Sequence, residues 1–392
     1  MQEVFIVAMA RTPIGAFNGS LAPVSAIKLG ETAIRAAMQR AGLKGEQIEQ
    51  VIMGNVLQAN NGQAPARQAA LAAGVSVNTA CMTINKVCAS GLKSIALAAQ
   101  SIILGDNDIA IGGGFESMTN APYYIPNGRN GYRYGNGEIV DAIVRDGLQD
   151  PYKKYMMGNV AEICAAKYEI GREAQDAYAI QSYKRAADAY ANKYFEEELC
   201  GVEIPQRSGD PIVIKEDDEY KNIKFDKVAT VKPAFDKNGT VTAVNASKIN
   251  DGAAAMVLMS KRKMEELGLK PIAKLLSYAD AEQDPDWFTT TPSVAIPMAV
   301  KKAGLTMDDI DFFEINEAFS VVALANMKEM NLSADKVNVF GGAVALGHPI
   351  GGSGARIACT LLSVLKHKKG KYGAVGICNG GGGATAIVFE KL

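Results

Sequence analysis

The sequence predicts an α/β fold made from one duplicated unit, with a long segment inserted into its first copy. Two observations carry this. "AAMQRAGLKGEQIEQVIMGNV" (36–56) passes through the same order of helix, Ala-Gly-Leu, polar turn with Ile, strand and Asn as "MAVKKAGLTMDDIDFFEINEAF" (298–319). Gly42 recurs as Gly304 and Ser90-Gly91 as Ser353-Gly354, a spacing of 262 to 263 residues (304 − 42 and 353 − 90), and self-similarity at a fixed spacing marks a repeated architecture. Secondly, the strand "ATAIVFE" (384–390) closes the second copy at once, whereas the first waits until "NDGAAAMVLMS" (250–260), so roughly residues 120–248 interrupt it. Helices alternating with short apolar strands predict sheets covered by helices.

The elements follow in order. "MQEVFIVAMARTPIGAF" (1–17) reads as a strand and a turn. It has no basic leader region and no signal-peptide cleavage site, which predicts a cytoplasmic protein, or a mitochondrial one if a transit peptide has been removed. The chain has 392 residues, 48% hydrophobic and 21% charged, with a formal net charge of −1. That length supports two or three domains with a large core. The balanced charge predicts no broad basic face for nucleic acid and no basic amphipathic helix for a membrane. No apolar run is expected to reach the roughly 18 to 20 residues of a membrane span. Six cysteines (Cys81, Cys88, Cys164, Cys200, Cys359 and Cys378) are scattered without a CxxC pair, which predicts reduced thiols rather than disulfides or a zinc site.

After Cys88, apolar residues at Leu92, Ile95, Ala96, Ala99, Ile102 and Ile103 keep helical spacing, and Gly105 supplies a stop. Cys88 thus falls at a helix start, where free N–H groups and the helix dipole are expected to lower its thiol pKa and to hold an oxyanion. A free cysteine is otherwise an ordinary small core residue. The partner imidazole is His348 in "GGAVALGHPIGGSGARIA" (341–358), where dense glycine signals tight turns or close backbone approach. His348 lies just before the second-copy helix, so a pseudo-twofold packing of the two helices brings it to Cys88, whose proton it can take. His367, in "LKHKKGKYG", reads as a solvated turn residue. The inserted segment holds helical pieces around 160–195 and a lysine-rich stretch at 220–232. Cys378 ends a buried strand and opens "CNGGGG", placing a second thiol for acid–base work. In "NEAF" (316–319), Asn316 is a neutral hydrogen-bonding group at a strand end, and Glu317 is either a base or a helix-start carboxylate.

"VCASG", "NEAF", "GHPIGGSGAR" and "CNGGGG", in this order and spacing, resemble the thiolase family over essentially the whole chain. The likeness is closest to short-chain acetyl-CoA acetyltransferases of the mitochondrial acetoacetyl-CoA type. The resemblance implies a five-layered αβαβα fold: residues 1–120 with 249–271 as the N-terminal domain, 121–248 as a loop domain over CoA, and 272–392 as the C-terminal domain. It implies that Cys88 is acylated, that His348 activates it, that Cys378 moves the C2 proton of the second acetyl-CoA, and that Asn316 fixes a water in an oxyanion site with His348. A second oxyanion site would use the N–H groups of Cys88 and Gly380. CoA would meet Asn222, Ile223, Lys224 and Lys227 at its nucleotide end, Val244, Ala246 and Ser247 along the pantetheine, and Met157, Ala318 and Phe319 at the thioester. Read without the family, these lysines are a solvated charged face. The resemblance further implies a homotetramer, no tightly bound cofactor, and a potassium ion at Tyr183, Ala243 and Val344.

Several rivals share parts of this pattern. A β-ketoacyl or chalcone-type synthase would need a further catalytic His, and His367 is the only other one. A non-catalytic acyl-CoA binder needs neither Cys88 nor Cys378, and a Cys/His hydrolase does not account for the duplication. A degradative 3-ketoacyl-CoA thiolase of broader chain range is the alternative within the family. One departure bears on it: Met156 stands where short-chain members usually carry His.

Overall fold

The structure is a computed structural model that describes residues 2–392. In the first half the elements run β1 (Val4–Arg11), α1 (Ala26–Arg40), β2 (Gln50–Gly54), α2 (Pro65–Ala72), β3 (Ala80–Ile84), α3 (Ser90–Leu104) and β4 (Ile109–Ser117). The inserted segment carries α4 (Met157–Tyr168) and α5 (Arg172–Ala191), and the chain returns as β5 (Asn250–Ser260). The second half runs β6 (Ala273–Glu282), α6 (Pro292–Lys302), β7 (Phe312–Ile315), α7 (Ser320–Glu329), α8 (Ile350–His367), β8 (Tyr372–Asn379) and β9 (Gly383–Lys391).

The strands lie in the order β7-β8-β9-β6-β1-β5-β4-β2-β3, with Gly15–Ala16 added beside β5. β6-β9-β8-β7 repeats the order of β1-β5-β4-β2, and the two halves join edge to edge where Val4 faces Leu275 and Ile6 faces Ala273. β4 pairs antiparallel with β5 from Ser117↔Asp251 to Ile109↔Met259, so the chain leaves the sheet at Ser117 and rejoins it beside the same strand. The repeated Ala-Gly-Leu ends α1 and α6 in the same way. Gly42 and Gly304 take φ of 66° and 74°, and the Leu43 and Leu305 amides bond back to Met38 and Val300 carbonyls at 3.1 Å. That is the Schellman stop, which needs a residue at ease with positive φ.

α1 and α2 pack on one face of the first half and α6 covers the second. α3 and α8 fill the layer between the halves, burying Leu92, Ile95, Ile102, Leu361 and Leu365 against strands of both. The membrane expectation needs correction here. Val87–Leu104 is an 18-residue window of mean hydropathy 1.6, long and apolar enough to span a bilayer by composition. It is instead the core of this central layer, and Lys93 inside it pairs with Asp280 at 2.6 Å.

α3 and α8 cross with their backbones in contact, and the same glycine of each repeat sits at the crossing. A Cβ on Gly91 would lie 2.8 Å from the Ala355 nitrogen and 2.9 Å from the Gly351 carbonyl. One on Gly354 would strike the Leu92 backbone nitrogen and lie 2.7 Å from Leu92 Cβ. α8 begins at Ile350, three residues before the Ser353 expected to open it, so Ser353 turns inward from the first turn. His367 also differs from expectation: it ends α8 half-buried, its ring 4.7 Å from that of Tyr194.

Because backbone cannot yield as a side chain can, Gly354→Ala should cost about 1–3 kcal/mol by overpacking, more than the ~1 kcal/mol that Ala gains over Gly in a helix. Urea unfolding measures it; an unchanged midpoint would mean that the crossing opens freely.

Candidate active site

Cys88 is held by a strained elbow. Val87 takes φ of 46°, a left-handed conformation that a β-branched residue avoids and that collects at functional sites. The strain is locked from both sides. The Val87 amide donates to Asn85 Oδ1 at 2.9 Å, its carbonyl accepts from Ser90 Oγ at 2.6 Å, and Ser90 Oγ in turn accepts from the Lys86 amide at 2.8 Å. Lys86 Nζ reaches Asp280 in the second half at 3.0 Å. The half-buried Cys88 packs against the apolar cluster of Val56, Leu57, Met118, Ile143 and Ile350.

The expected low thiol pKa is corrected. Burial pushes the Cys88 thiol up to about 12, although the Gly380 and Cys88 amides both hydrogen-bond its sulfur and favour the thiolate; the nearby Glu116 charge adds to the rise. A helix dipole contributes ~0.3–1 kcal/mol, less than one pKa unit, and cannot offset that desolvation. Cys88 therefore rests as a thiol, and a base must take its proton when it attacks.

His348 is held with one ring nitrogen free to accept a proton. It is buried, its amide donates to Asn250 Oδ1 at 2.8 Å, and its Nδ1 lies 2.6 Å from Ser353 Oγ. Ser353 Oγ donates to the Pro349 carbonyl at 2.8 Å, so the network assigns the proton to Nδ1 and leaves Nε2 an acceptor. Asn316 Nδ2 approaches that Nε2 at 3.5 Å. Burial, helped by Arg356, pulls the imidazole pKa down to about 3. Asn316 Oδ1 is buried and has no hydrogen-bond partner among the described residues.

Cys378 is 1% exposed, packed with Ala246, Ala318, Phe319 and Met157. Burial raises its pKa, and the charge of Cys88 raises it further. Gly380, two residues on, leaves room for Met157: a Cβ there would lie 3.4 Å from Met157 Sδ. Glu317 is neither base nor helix cap. Its carboxylate accepts from Tyr178, Ser182, Asn338 and the Val344 amide at 2.8 to 3.1 Å, which consumes it in holding the chain before His348.

A cavity of about 550 Å³ reaches His348, whereas Cys88, Asn316, Cys378 and Gly380 are not part of its wall. Its wall includes His348, Ile350, Met156, Met157, Phe235, Ala243, Ala246, Ser247, Lys248 and Phe319. Asn222, Ile223, Lys224, Lys227, Val244 and Ala318 are not part of that wall. Asn222, Lys224 and Lys227 are exposed, beside turns at Glu219–Lys221 and Phe225–Thr230, and Glu219 itself lines the cavity. Ile223 and Val244 are half-buried against the Tyr183 cluster, and the Ala318 carbonyl accepts from the Ser247 amide at 3.0 Å.

The residues expected to hold potassium do not fit that ion. The Val344 carbonyl accepts from Lys248 Nζ at 3.3 Å, and the same ammonium lies 5.7 Å from the centre of the Tyr183 ring. A cation on that carbonyl would face a second positive charge, a repulsion of about 4 kcal/mol at 4 Å and an effective dielectric constant of 20.

Comparisons with known proteins fit this geometry. Residues 4–262 match the thiolase N-terminal domain and residues 269–391 the thiolase C-terminal domain. The chain belongs to the thiolase family. An acetyl-CoA acetyltransferase of Schizosaccharomyces pombe is 53% identical over 391 residues, covering 100% of this chain and 99% of that one. A cytosolic acetyl-CoA acetyltransferase of Gibberella zeae is 55% identical over 393 residues, with 100% and 99% covered. The crystal structure of an Ascaris suum thiolase in complex with coenzyme A superposes with a TM-score of 0.95 at 45% identity, covering 100% of both chains.

The sequence contains two histidines, so their ring signals can be followed one by one in ¹⁵N-histidine-labelled protein. His348 should stay neutral from pH 8 down to pH 5, since its pKa is near 3. The unfolded imidazole charges near pH 6.5, so the unfolded chain binds more protons between those values and stability falls as pH drops through that window. Titration of His348 near pH 6.5 would contradict the buried assignment.

Proposed function

We propose that this chain is an acetyl-CoA C-acetyltransferase, joining two acetyl-CoA into acetoacetyl-CoA and CoA by a reversible, ping-pong Claisen condensation. The observations that carry it are the Cys88 and Gly380 amides, which favour a Cys88 thiolate, and a buried imidazole whose Nδ1 is held by Ser353 so that Nε2 is free to accept. Amides so placed can also hold the oxyanion that forms when that sulfur attacks a thioester.

The proton balance assigns the steps. Cys88 Sγ attacks the thioester carbonyl as His348 Nε2 takes its proton, and the CoA thiolate leaves with the proton of Cys378. The enzyme then holds acetyl-Cys88, an imidazolium and a Cys378 thiolate. Acetyl-Cys88 is neutral and cannot ionise against that thiolate, and the imidazolium favours it. Cys378 takes the C2 proton of the second acetyl-CoA, the carbanion attacks acetyl-Cys88, and the departing Cys88 recovers its proton from His348. Asn316 would hold a water beside His348 for the enolate oxygen, consistent with its unpaired Oδ1.

In this reading residues 121–248 form the domain over CoA. Met157, Ala246, Ser247 and Phe319 line the thioester and pantetheine, and Lys224 and Lys227 meet the nucleotide end. The protein is cytoplasmic, in keeping with the cytosolic relative. It works as a homotetramer, for which the exposed Ile125, Tyr132, Tyr134 and Ile139 offer an apolar face.

Cys378→Ala should still form acetyl-Cys88, with water supplying the leaving-group proton. Exchange of acetyl-CoA C2 protons with deuterated water should fall by at least ~10²-fold, the lower range for general acid–base groups. Unchanged exchange would remove Cys378 from this role.

Chain length is tested at Met156, which lines the cavity beside Met157. A thioether cannot hydrogen-bond a ketoacyl oxygen and adapts to added methylenes, each worth up to ~0.8 kcal/mol, or about fourfold, if buried. The main activity should be thiolysis of C4 3-ketoacyl-CoA, with measurable C6 activity. Met156→His should raise the C4/C6 ratio of kcat/KM by more than about twofold; a smaller change, under ~0.4 kcal/mol, would mean that Met156 does not set the range.

A further inference from the structure

Lys248 carries a charge that no step above uses. Its Nζ donates to the Ala246 carbonyl at 2.7 Å and to the Val344 carbonyl at 3.3 Å, under the Tyr183 ring. These three partners belong to three different pieces. Tyr183 lies on α5 of the inserted segment, and Ala246 precedes Ser247 in the chain's return to β5. Val344 lies in the helical turn Ala343–Leu346, just before His348. The Val344 peptide is gripped at both ends, since its amide donates to Glu317 Oε2 at 3.0 Å. Burial drags the ammonium pKa down to about 8 against the pull of Glu219 and Glu317, so the group is still mostly charged at neutral pH.

A half-buried ammonium wedged between two carbonyls and an aromatic ring, at the wall of a binding cavity, points to function rather than to stability. Lysine suits the task because it is a compact point charge with three donors on a flexible stem. Carbonyl oxygens converging below an aromatic face are a cation site, and here the cation is part of the chain.

We propose that Lys248 is a tethered cation that stands in for potassium, bracing the Ser247 loop against the turn that carries His348, so that this chain binds CoA thioesters without a monovalent metal ion. This rests on the acyl-CoA reading above. Lys248 is a positioning residue: it fixes the cavity wall and takes no part in proton transfer. Its loss should therefore raise KM and leave kcat nearly untouched.

The test compares potassium, sodium and tetramethylammonium chlorides at equal ionic strength. The unaltered protein should show the same kcat/KM and the same melting temperature in all three. Lys248→Ala, which uncovers both carbonyls, should raise KM for acetoacetyl-CoA about tenfold in tetramethylammonium with kcat within about threefold. Potassium should then restore most of that loss and raise the variant's melting temperature, which a mere packing defect would not do. Lys248→Thr serves as the second variant if Lys248→Ala fails to fold. Stimulation of the unaltered protein by potassium over sodium by more than about twofold would overturn the proposal. So would a variant whose KM is unchanged, or one whose KM and melting temperature ignore potassium. No thiolysis by the unaltered protein in any salt would instead sink the acyl-CoA reading, and the melting temperatures would still decide the cation claim.

Discussion

The structure depends on one close contact, the crossing of α3 and α8 at Gly91 and Gly354. Two helices bring their starts to one point only if their backbones touch, and a single methyl group on either glycine prevents that. The repeat places the same glycine at both positions, so the duplication itself builds the crossing. Strand β4 joins in through Gly114, whose Cβ position is occupied by the Gly351 carbonyl. Glu116 then accepts from the Gly351 amide at 2.9 Å and from the Val56 and Leu57 amides at 3.0 and 3.1 Å. Burial lifts its pKa to about 7. The start of α8, with His348 just before it, is thus pinned against the strand ends of the first half, where Cys88 stands.

That convergence creates a dry site, and dryness sets its chemistry. Thiols and imidazole all rest uncharged because desolvation outweighs the nearby amides and dipoles. The thioester arrives already activated, so the site has no need of a standing thiolate. It needs acceptors and donors aimed at charge as it develops, and a base with one nitrogen held free. In the proposed steps charge appears in compensating pairs, imidazolium with thiolate, within one enclosure of low dielectric where such pairs attract strongly.

Much of this was legible in the sequence. The repeat showed the duplicated α/β unit with its interrupted first copy, though not the order of the strands, and Ala-Gly-Leu marked the helix ends because a positive φ favours glycine there. The glycines around His348 signalled close backbone approach, although not which backbone approached. Cys88 and His348 were singled out by residue type and place in the repeat, and Cys378 by its strand end before a glycine-rich loop. Other features lie outside any sequence pattern. Val87 is strained only because Asn85, Ser90 and Lys86 lock it, and a valine in a sequence carries no mark of φ. The thiol pKa was misjudged because a helix start is visible in sequence whereas the apolar wall around it comes from four separate segments. Lys248 carries no sequence signal, since its carbonyl partners are backbone atoms and Val344 is 96 residues away. Val87–Leu104 was misjudged because a window that contains a lysine and several small polar residues is not a continuous apolar run, yet its mean hydropathy is 1.6.

In the proposed mechanism the glycine crossing makes Cys88 and His348 one acylation unit. The direct measurement is peptide mass spectrometry after millisecond exposure to acetyl-CoA and acid quench, on the unaltered protein and on His348→Ala. Acetyl should appear on the Cys88 peptide alone within the first turnover, and at a rate at least ~10²-fold slower in the variant. Acetyl found first on Cys378, or acylation of Cys88 at an unchanged rate without His348, would contradict it.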